Sequence, residues 1–228
     1  MPNSEVLLEP KDCALVLLDQ QAGLAFGVGS VDRQIQLNNV VALARTAKVF
    51  DLPIVASTLA TKVYSGPLMP SVQAAIPELV ALDRRNMNAW EDDAVRSAIE
   101  ATKRRRLIVS GLLTEACVSF PVLSALSAGY EVHVVGDACG GLTIVSHELA
   151  LRRMEAAGAK MTSWIQVLLE LQRDWTRHAT YDGARNRRSA RRRIRDRAGL
   201  CTGHDSSRMR AANAHVAARP GNHGLQSA

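Results

Sequence analysis

The sequence predicts an α/β protein, a parallel sheet with helices on both faces. Two observations predict it. From residue 13 to residue 173, short apolar runs alternate with stretches of helical periodicity, the signature of repeated strand–helix–strand units. The clearest run, Cys13–Leu18 (CALVLL), is continuously apolar, as a strand buried on both faces requires. In such sheets ligands bind beyond the carboxyl ends of the strands, where the strand order reverses. Chemistry is therefore expected directly after strands.

The elements follow in order. Cys13–Leu18 is strand one and ends in Asp19. Residues 34–50 carry Ile35, Val41, Leu43, Ala44, Ala47 and Val49 at largely helical spacing. Pro53 opens a second strand, Ile54–Ser57, followed by a polar, proline-rich connection, Thr61–Pro77, with one helical turn in it. Leu79–Leu82 reads as a short third strand. Glu91–Thr102 reads as a helix whose first turn holds three acids, which suits the helix dipole. Arg106–Ser110 is strand four and Ala116–Ala128 the next helix, ended by Gly129. Tyr130–Val135 is strand five, Ser146–Ala157 a helix ended by Gly158, Lys160–Ser163 strand six, and Val167–Trp175 a closing helix.

The 228 residues are 47% apolar and 22% charged, with a formal net charge of +6. That composition excludes wholesale disorder and fibrous classes. The charge is uneven. Residues 1–176 carry a net of −3, and residues 177–228 a net of +9 in which every basic residue is Arg. The reading is therefore one domain over 1–176 and a basic tail over 177–228. The tail has too little apolar surface to offset ordering entropy, so it is expected to be mostly disordered. Its abrupt, Arg-only onset also fits translation in an altered frame after about Tyr181. Nucleic-acid binding through this tail is not the expected role, since the candidate chemistry lies in the body.

The start, MPNSEVLLEPKD, has acids and a proline where a targeting segment has a basic flank and an apolar run. Leu107–Tyr130 is the most apolar stretch, but Gly111, Glu115 and Pro121 interrupt it, so no membrane span is expected. Cys13, Cys117, Cys139 and Cys201 show no paired spacing and read as reduced thiols of a cytoplasmic protein.

Three features sit at strand ends. Asp19 closes strand one in LLDQQAG. Arg84 and Arg85 follow strand three in LDRRNMNAW. Cys117 follows strand four in LIVSGLLTEACVSF, at a helix start. A helix N-terminus and a nearby cation lower a thiol pKa by several units, and a strand–turn–helix passage aims backbone N–H groups at one point. By position alone the commoner explanation of Cys117 is a small buried hydrophobe. Asp19 is equally a strand-ending cap or a general base, and the arginines are loop cations or partners of a thiolate.

GLLTEACVSFPVLSALSAGYEVHVVGDA, with DQQ after strand one, NAW after strand three, and later RRMEAAGA and ELQRDW, resembles the isochorismatase-like cysteine hydrolases. That family includes nicotinamidases and N-carbamoylsarcosine amidases, and the resemblance, spanning about residues 10–180, is strongest to its YcaC-type hydrolases. It implies a three-layer α-β-α sandwich with a six-stranded parallel sheet and an Asp–cation–Cys triad of Asp19, an Arg and Cys117. It also implies a cis peptide at Leu112–Leu113, an oxyanion hole from the N–H groups of Leu113 and Cys117, and substrate contacts from Gln21, Asn88 and Trp90.

Two departures matter. Most relatives carry Lys as the cation, and Arg is a poor proton carrier. In the YcaC-type pattern the Arg falls five residues before the Asn of NAW, and counting back from Asn88 lands on Asp83, so the assignment goes to Arg84 with a one-residue deletion, and Arg85 is the alternative. A carboxylate in that position would raise the thiol pKa. Nicotinamidases bind a metal through Asp-x-His and further His after strand two. No His occurs before His133, so no metal is expected, and Gly140–Gly141 lacks a phosphate-loop pattern, so no cofactor is expected. The implied activity is hydrolysis of a C–N bond in a small amide through a thioester, and the implied assembly a homo-oligomer, with the apolar last helix as a plausible contact. The alternative is a catalytically silent member acting as a binding scaffold.

Overall fold

Strands form where continuous apolar runs can be covered on both faces. In the computed structural model, which describes residues 7–180, β1 (Cys13–Leu18) and β4 (Arg106–Gly111) are buried at every position. They pair in parallel with each other, at the centre of a six-stranded sheet of order β3-β2-β1-β4-β5-β6. The others are β2 (Ile54–Leu59), β3 (Leu82–Arg84), β5 (Glu131–Val135) and β6 (Lys160–Thr162), each parallel to its neighbour.

Side chains alternate across the sheet and divide the core. Leu15, Leu17 and Ile108 pack with α2 (Arg33–Val49), α3 (Pro70–Ala75) and α7 (Trp164–Gln172) on one face. Ala14, Val16, Leu18, Leu107 and Val109 pack with α4 (Asp93–Ala101), α5 (Ser119–Ser127) and α6 (Ile144–Ala156) on the other. One further turn, α1 (Ala22–Ala25), follows β1. The result is the expected α-β-α sandwich. From β1 the chain runs outward through β2 to β3, then crosses back to the far side of β1 as β4. The strand order therefore reverses between β1 and β4.

Element ends explain the differences from the sequence reading. β3 begins three residues later than expected, because Leu82–Arg84 pairs with Ser57–Leu59 while Val80 points to solvent. The apolar run 79–82 misled because the pairing segment contains two charges. The 61–77 connection holds a five-residue π turn (Thr61–Ser65) as well as α3. The expected 91–102 helix is split: Asp92 accepts from the backbone N–H of Ala94 and Val95, so α4 starts after it. The expected 116–128 helix likewise opens as a π turn, Thr114–Val118, before α5. α7 starts at Trp164, capped by Ser163, three residues earlier than expected, and ends at Gln172. Gly129 and Gly158 end α5 and α6 with positive φ, as their placement suggested. Among the described residues no helix is long and apolar enough to cross a membrane. The described residues fall within the first of two units into which the chain divides, residues 1–184. Nearly all of the basic tail, with Cys201 and the suggested change of frame, lies outside them.

An ion network joins β4, β5 and β6 at the end of the sheet where these strands begin. Glu131 takes Lys160 Nζ at 2.7 Å, His133 Nε2 at 2.8 Å and Arg106 Nε at 3.2 Å. Burial works to raise the Glu131 pKa, but the Lys160 and His133 hydrogen bonds and the Arg106 charge outweigh it and pull it down to about 2. A carboxylate depressed in the folded state stabilises the fold above its ordinary pKa, and that contribution is lost as pH falls toward its folded value. Thermal melts should therefore show Glu131→Gln less stable than wild type at pH 7, with the gap closing between about pH 4.5 and pH 2. A gap that stays constant with pH would refute this account.

Candidate active site

The reversal of strand order between β1 and β4 leaves a crevice at their carboxyl ends. Asp19 follows β1 there, and the Cys117 turn follows β4. Asp19 has φ of 55°, a left-handed conformation that Asp tolerates better than most residues. Its backbone N–H donates to Ser57 O of β2 at 2.9 Å, and Leu112 N–H donates to Leu18 O at 3.1 Å. Both sides of the crevice are therefore tied to the sheet.

Arg84 is the last residue of edge strand β3. Two inter-strand spacings, roughly 10 Å, separate β3 from β1, and only a long side chain crosses them. The fully buried guanidinium passes Ser57 of β2, donating to its Oγ at 3.0 Å, and grips Asp19 with both ends: Nη1–Oδ1 at 2.5 Å and Nη2–Oδ2 at 2.8 Å. Nη2 also donates to Met87 O at 3.2 Å, while the buried Nε has no partner. Arg85 is exposed. Asp83 faces the opposite way and accepts from Thr61 N–H, Thr61 Oγ and Thr58 Oγ. Arg84 thus meets Asp19, and the competing carboxylate is held outside.

Cys117 lies in the π turn Thr114–Val118 and is 4% exposed. It lies within electrostatic reach of the Asp19–Arg84 pair, and the Leu113 backbone N–H also acts on its thiol. The Leu112–Leu113 peptide is cis, as the resemblance implied. Thr114 N–H donates to Gly140 O at 2.9 Å, and Thr114 Oγ1 lies 2.8 Å from His147 Nδ1, which fastens the turn to α6.

The electrostatics differ from the expectation of an acidified thiol. Burial pushes the Cys117 pKa up to about 12, the Asp19 charge adds to it, and Arg84 opposes only in part. The Asp19 pKa is also raised, by burial, against the opposing pull of Arg84. At neutral pH the resting cysteine is a protonated thiol beside Asp19. Such an arrangement can move the proton as the sulfur attacks, without a standing thiolate.

The remaining site candidates have polar groups already engaged. Gln21 is buried; its amide receives Leu59 N–H at 2.8 Å and donates to Leu59 O and Gly66 O. Asn88 Nδ2 donates to Glu91 and Ser124, and its Oδ1 receives Trp90 N–H. Trp90 stacks edge-on against Tyr130 at 5.4 Å and lines a small apolar cavity with Ala89, Val16 and Val122 that includes none of the triad. Sequence reasoning missed Ser57, which steadies Arg84, and Gln36, a polar residue in the apolar stripe of α2 that was its visible signal. Among the described residues no three His, Cys, Asp or Glu side chains converge as a metal site.

Comparison with known proteins places this geometry in context. The isochorismatase domain model matches residues 13–166. The probable hydrolase YcaC of Escherichia coli K12 is 39% identical over 176 residues, which is 77% of this chain and 85% of that protein. Two solved structures superpose over most of the chain. One is YcaC from Pseudomonas aeruginosa with hexane-2,5-diol and covalent acrylamide, at TM-score 0.77, 34% identity, and 85% and 98% coverage of this chain and that one. The other is the Escherichia coli YcaC gene product, described as an octameric hydrolase of unknown specificity, at TM-score 0.76, 36% identity, and 86% and 98% coverage.

Removing one partner of a buried ion pair leaves an uncompensated charge. Arg84→Met should therefore lower stability by about 3–5 kcal/mol in urea titrations. Adding Asp19→Leu should recover most of that loss. A double variant as unstable as the single one would contradict the pairing.

Proposed function

The chain belongs to the isochorismatase family and is a YcaC-like hydrolase of that family, and on that premise we propose that it cleaves a C–N bond of a small amide with Cys117 as nucleophile. The observation that carries the reading is the two-pronged grip of the Arg84 guanidinium on the Asp19 carboxylate, close enough to Cys117 for both charges to act on its thiol.

Cys117 Sγ attacks the amide carbonyl while its proton passes to Asp19, forming a carbon–sulfur bond and a tetrahedral oxyanion. The N–H groups of Leu113 and Cys117 receive that oxyanion. The carbon–nitrogen bond then breaks, Asp19 returns the proton to the departing amine, and a thioester remains. Water, deprotonated by Asp19, attacks the thioester, releasing a carboxylic acid and restoring the thiol. Arg84 stays protonated throughout and holds the carboxylate in line. Gln21, Asn88 and Trp90 shape the substrate's surroundings by fixing the loops around it. The covalent acrylamide on the Pseudomonas relative supports a nucleophile able to react with a small electrophile in this fold. The free thiols of Cys13, Cys117 and Cys139 fit a cytosolic setting.

One observation favours the silent-scaffold alternative: Cys117 is almost wholly buried and its pKa is high. Site-resolved alkylation decides between them. Iodoacetamide at pH 7 should modify Cys117 in the wild type, and Asp19→Asn should slow that reaction by about 100-fold or more, the usual contribution of a positioned base. A panel of small amides should be turned over by wild type and left intact by Cys117→Ala. Inert Cys117 together with no turnover of any amide would favour the scaffold.

A homo-oligomer is part of the proposal. The Escherichia coli relative is octameric, and α6 presents Ile144, Val145 and Leu149 at 60%, 66% and 59% exposure, an apolar group of the kind that marks contact sites. Light scattering should find an oligomer for wild type and a smaller species for Val145→Glu/Leu149→Glu. An unchanged mass would exclude this face.

A further inference from the structure

Directly behind Asp19 lies a buried polar network that the mechanism above does not use. Gln20, the next residue, is fully buried, and its Nε2 donates to Ser110 Oγ of β4 at 3.0 Å. Gln36, one turn into α2, donates from Nε2 to Gln20 Oε1 and to Ala138 O, each at 3.0 Å. Ser110 Oγ donates to the same Ala138 O at 2.8 Å. Four separate elements meet at this point: the end of β1, β4, the turn after β5, and α2.

Both halves of the catalytic pair depart from it. Asp19 precedes Gln20 by one residue. Ser110 precedes the Leu112–Leu113 peptide by two residues and leads into the Cys117 turn. Ala138 leads to Gly140, whose carbonyl receives Thr114 N–H in that turn and whose N–H donates to Gly111 O at 3.3 Å. A side-chain amide on a helix face whose other buried residues are Val40, Leu43, Ala44, Ala47 and Thr46, the last satisfied within its own helix, also costs desolvation unless fully bonded. An apolar residue there would cover the sheet equally well, so packing alone does not explain Gln36.

We propose that Gln36, Gln20 and Ser110 are positioning residues that fix the distance between the Asp19 carboxylate and the Cys117 thiol, an inference that rests on reading Asp19 as the base. None of the three touches the triad through its side chain in the contacts described. They act by locking the two strand ends and the Ala138 carbonyl into one rigid unit, so that the proton donor and acceptor stay in hydrogen-bond reach. Displacements of about 1 Å in such geometry cost up to roughly 100-fold in rate.

The test is the pH profile of site-resolved Cys117 alkylation in the full chain, using iodoacetamide, for wild type, Gln36→Met and Asp19→Asn. Base assistance from Asp19 gives wild type a plateau around neutral pH, below the limb where free thiolate reacts unaided. Gln36→Met, of similar length but unable to hydrogen-bond, should lower the plateau by roughly tenfold and leave the high-pH limb in place. In the Asp19→Asn background it should have no further effect, because the two changes act on one interaction. Ser110→Ala, a smaller change, should lower the plateau in the same way and serves if Gln36→Met does not fold. A uniform scaling of the whole profile, an unchanged profile, or an additive effect in the Asp19→Asn background would overturn the proposal. A wild type with no plateau would instead overturn the reading of Asp19 as base, and this inference with it.

Discussion

The structure around the crevice is organised by one buried ion pair. Asp19 and Arg84 are both removed from water and joined by two hydrogen bonds. Neither charge is tolerable there alone, since desolvating an unpaired carboxylate or guanidinium costs several kcal/mol or more. The pair therefore dictates where edge strand β3 can stop and which of its residues faces inward. It also explains why Ser57 lies beneath the guanidinium and why Asp83, one residue away, must turn outward to the threonines of the 58–61 segment. A strand of three residues at a sheet edge has little cohesion of its own. The ion pair is what gives it a fixed register.

The same pair changes the electrical character of the thiol. A cation near a cysteine ordinarily favours thiolate, and the sequence reading relied on that rule. Here the cation is bound to a carboxylate whose own charge also acts on the thiol, so Arg84 offsets burial and Asp19 only in part. The thiol pKa is pushed up to about 12. In the proposed mechanism the thiol loses its proton at the moment of attack, so the placement of Asp19 relative to Cys117 matters more than any resting charge.

What was legible in the sequence followed from apolar continuity. β1 and β4 are buried on both faces, so their runs were unmistakable, and the acid and the cysteine at their ends were found with them. β3 was displaced because the residues that pair are chosen by hydrogen bonding to β2 and by the demands of Arg84, and neither leaves an apolar trace. Arg84 and Arg85 could not be separated by pattern, since only the alternation of a strand whose register was unknown distinguishes them. Buried polar residues were the least legible class. Gln36, Ser57 and Ser110 owe their positions to partners distant in sequence. Gln21 shows the same dependence, its amide bonded to the backbone of Leu59 and Gly66.

Three consecutive residues divide the work of holding the crevice. Asp19 reaches to β3 through Arg84, Gln20 to β4 and the turn after β5, and Gln21 to the end of β2 and the loop beyond it. The left-handed backbone at Asp19 separates its direction from that of the strand before it. Arginine then adds something that lysine cannot. An ammonium fixes a carboxylate as a point charge, whereas the guanidinium fork meets both oxygens and fixes the carboxylate plane. Each oxygen keeps a further acceptor site after one such bond, and the direction of those sites is set once the plane is set. An Arg in the cation position is thus consistent with a role confined to orientation, with proton movement left to the acid and the thiol.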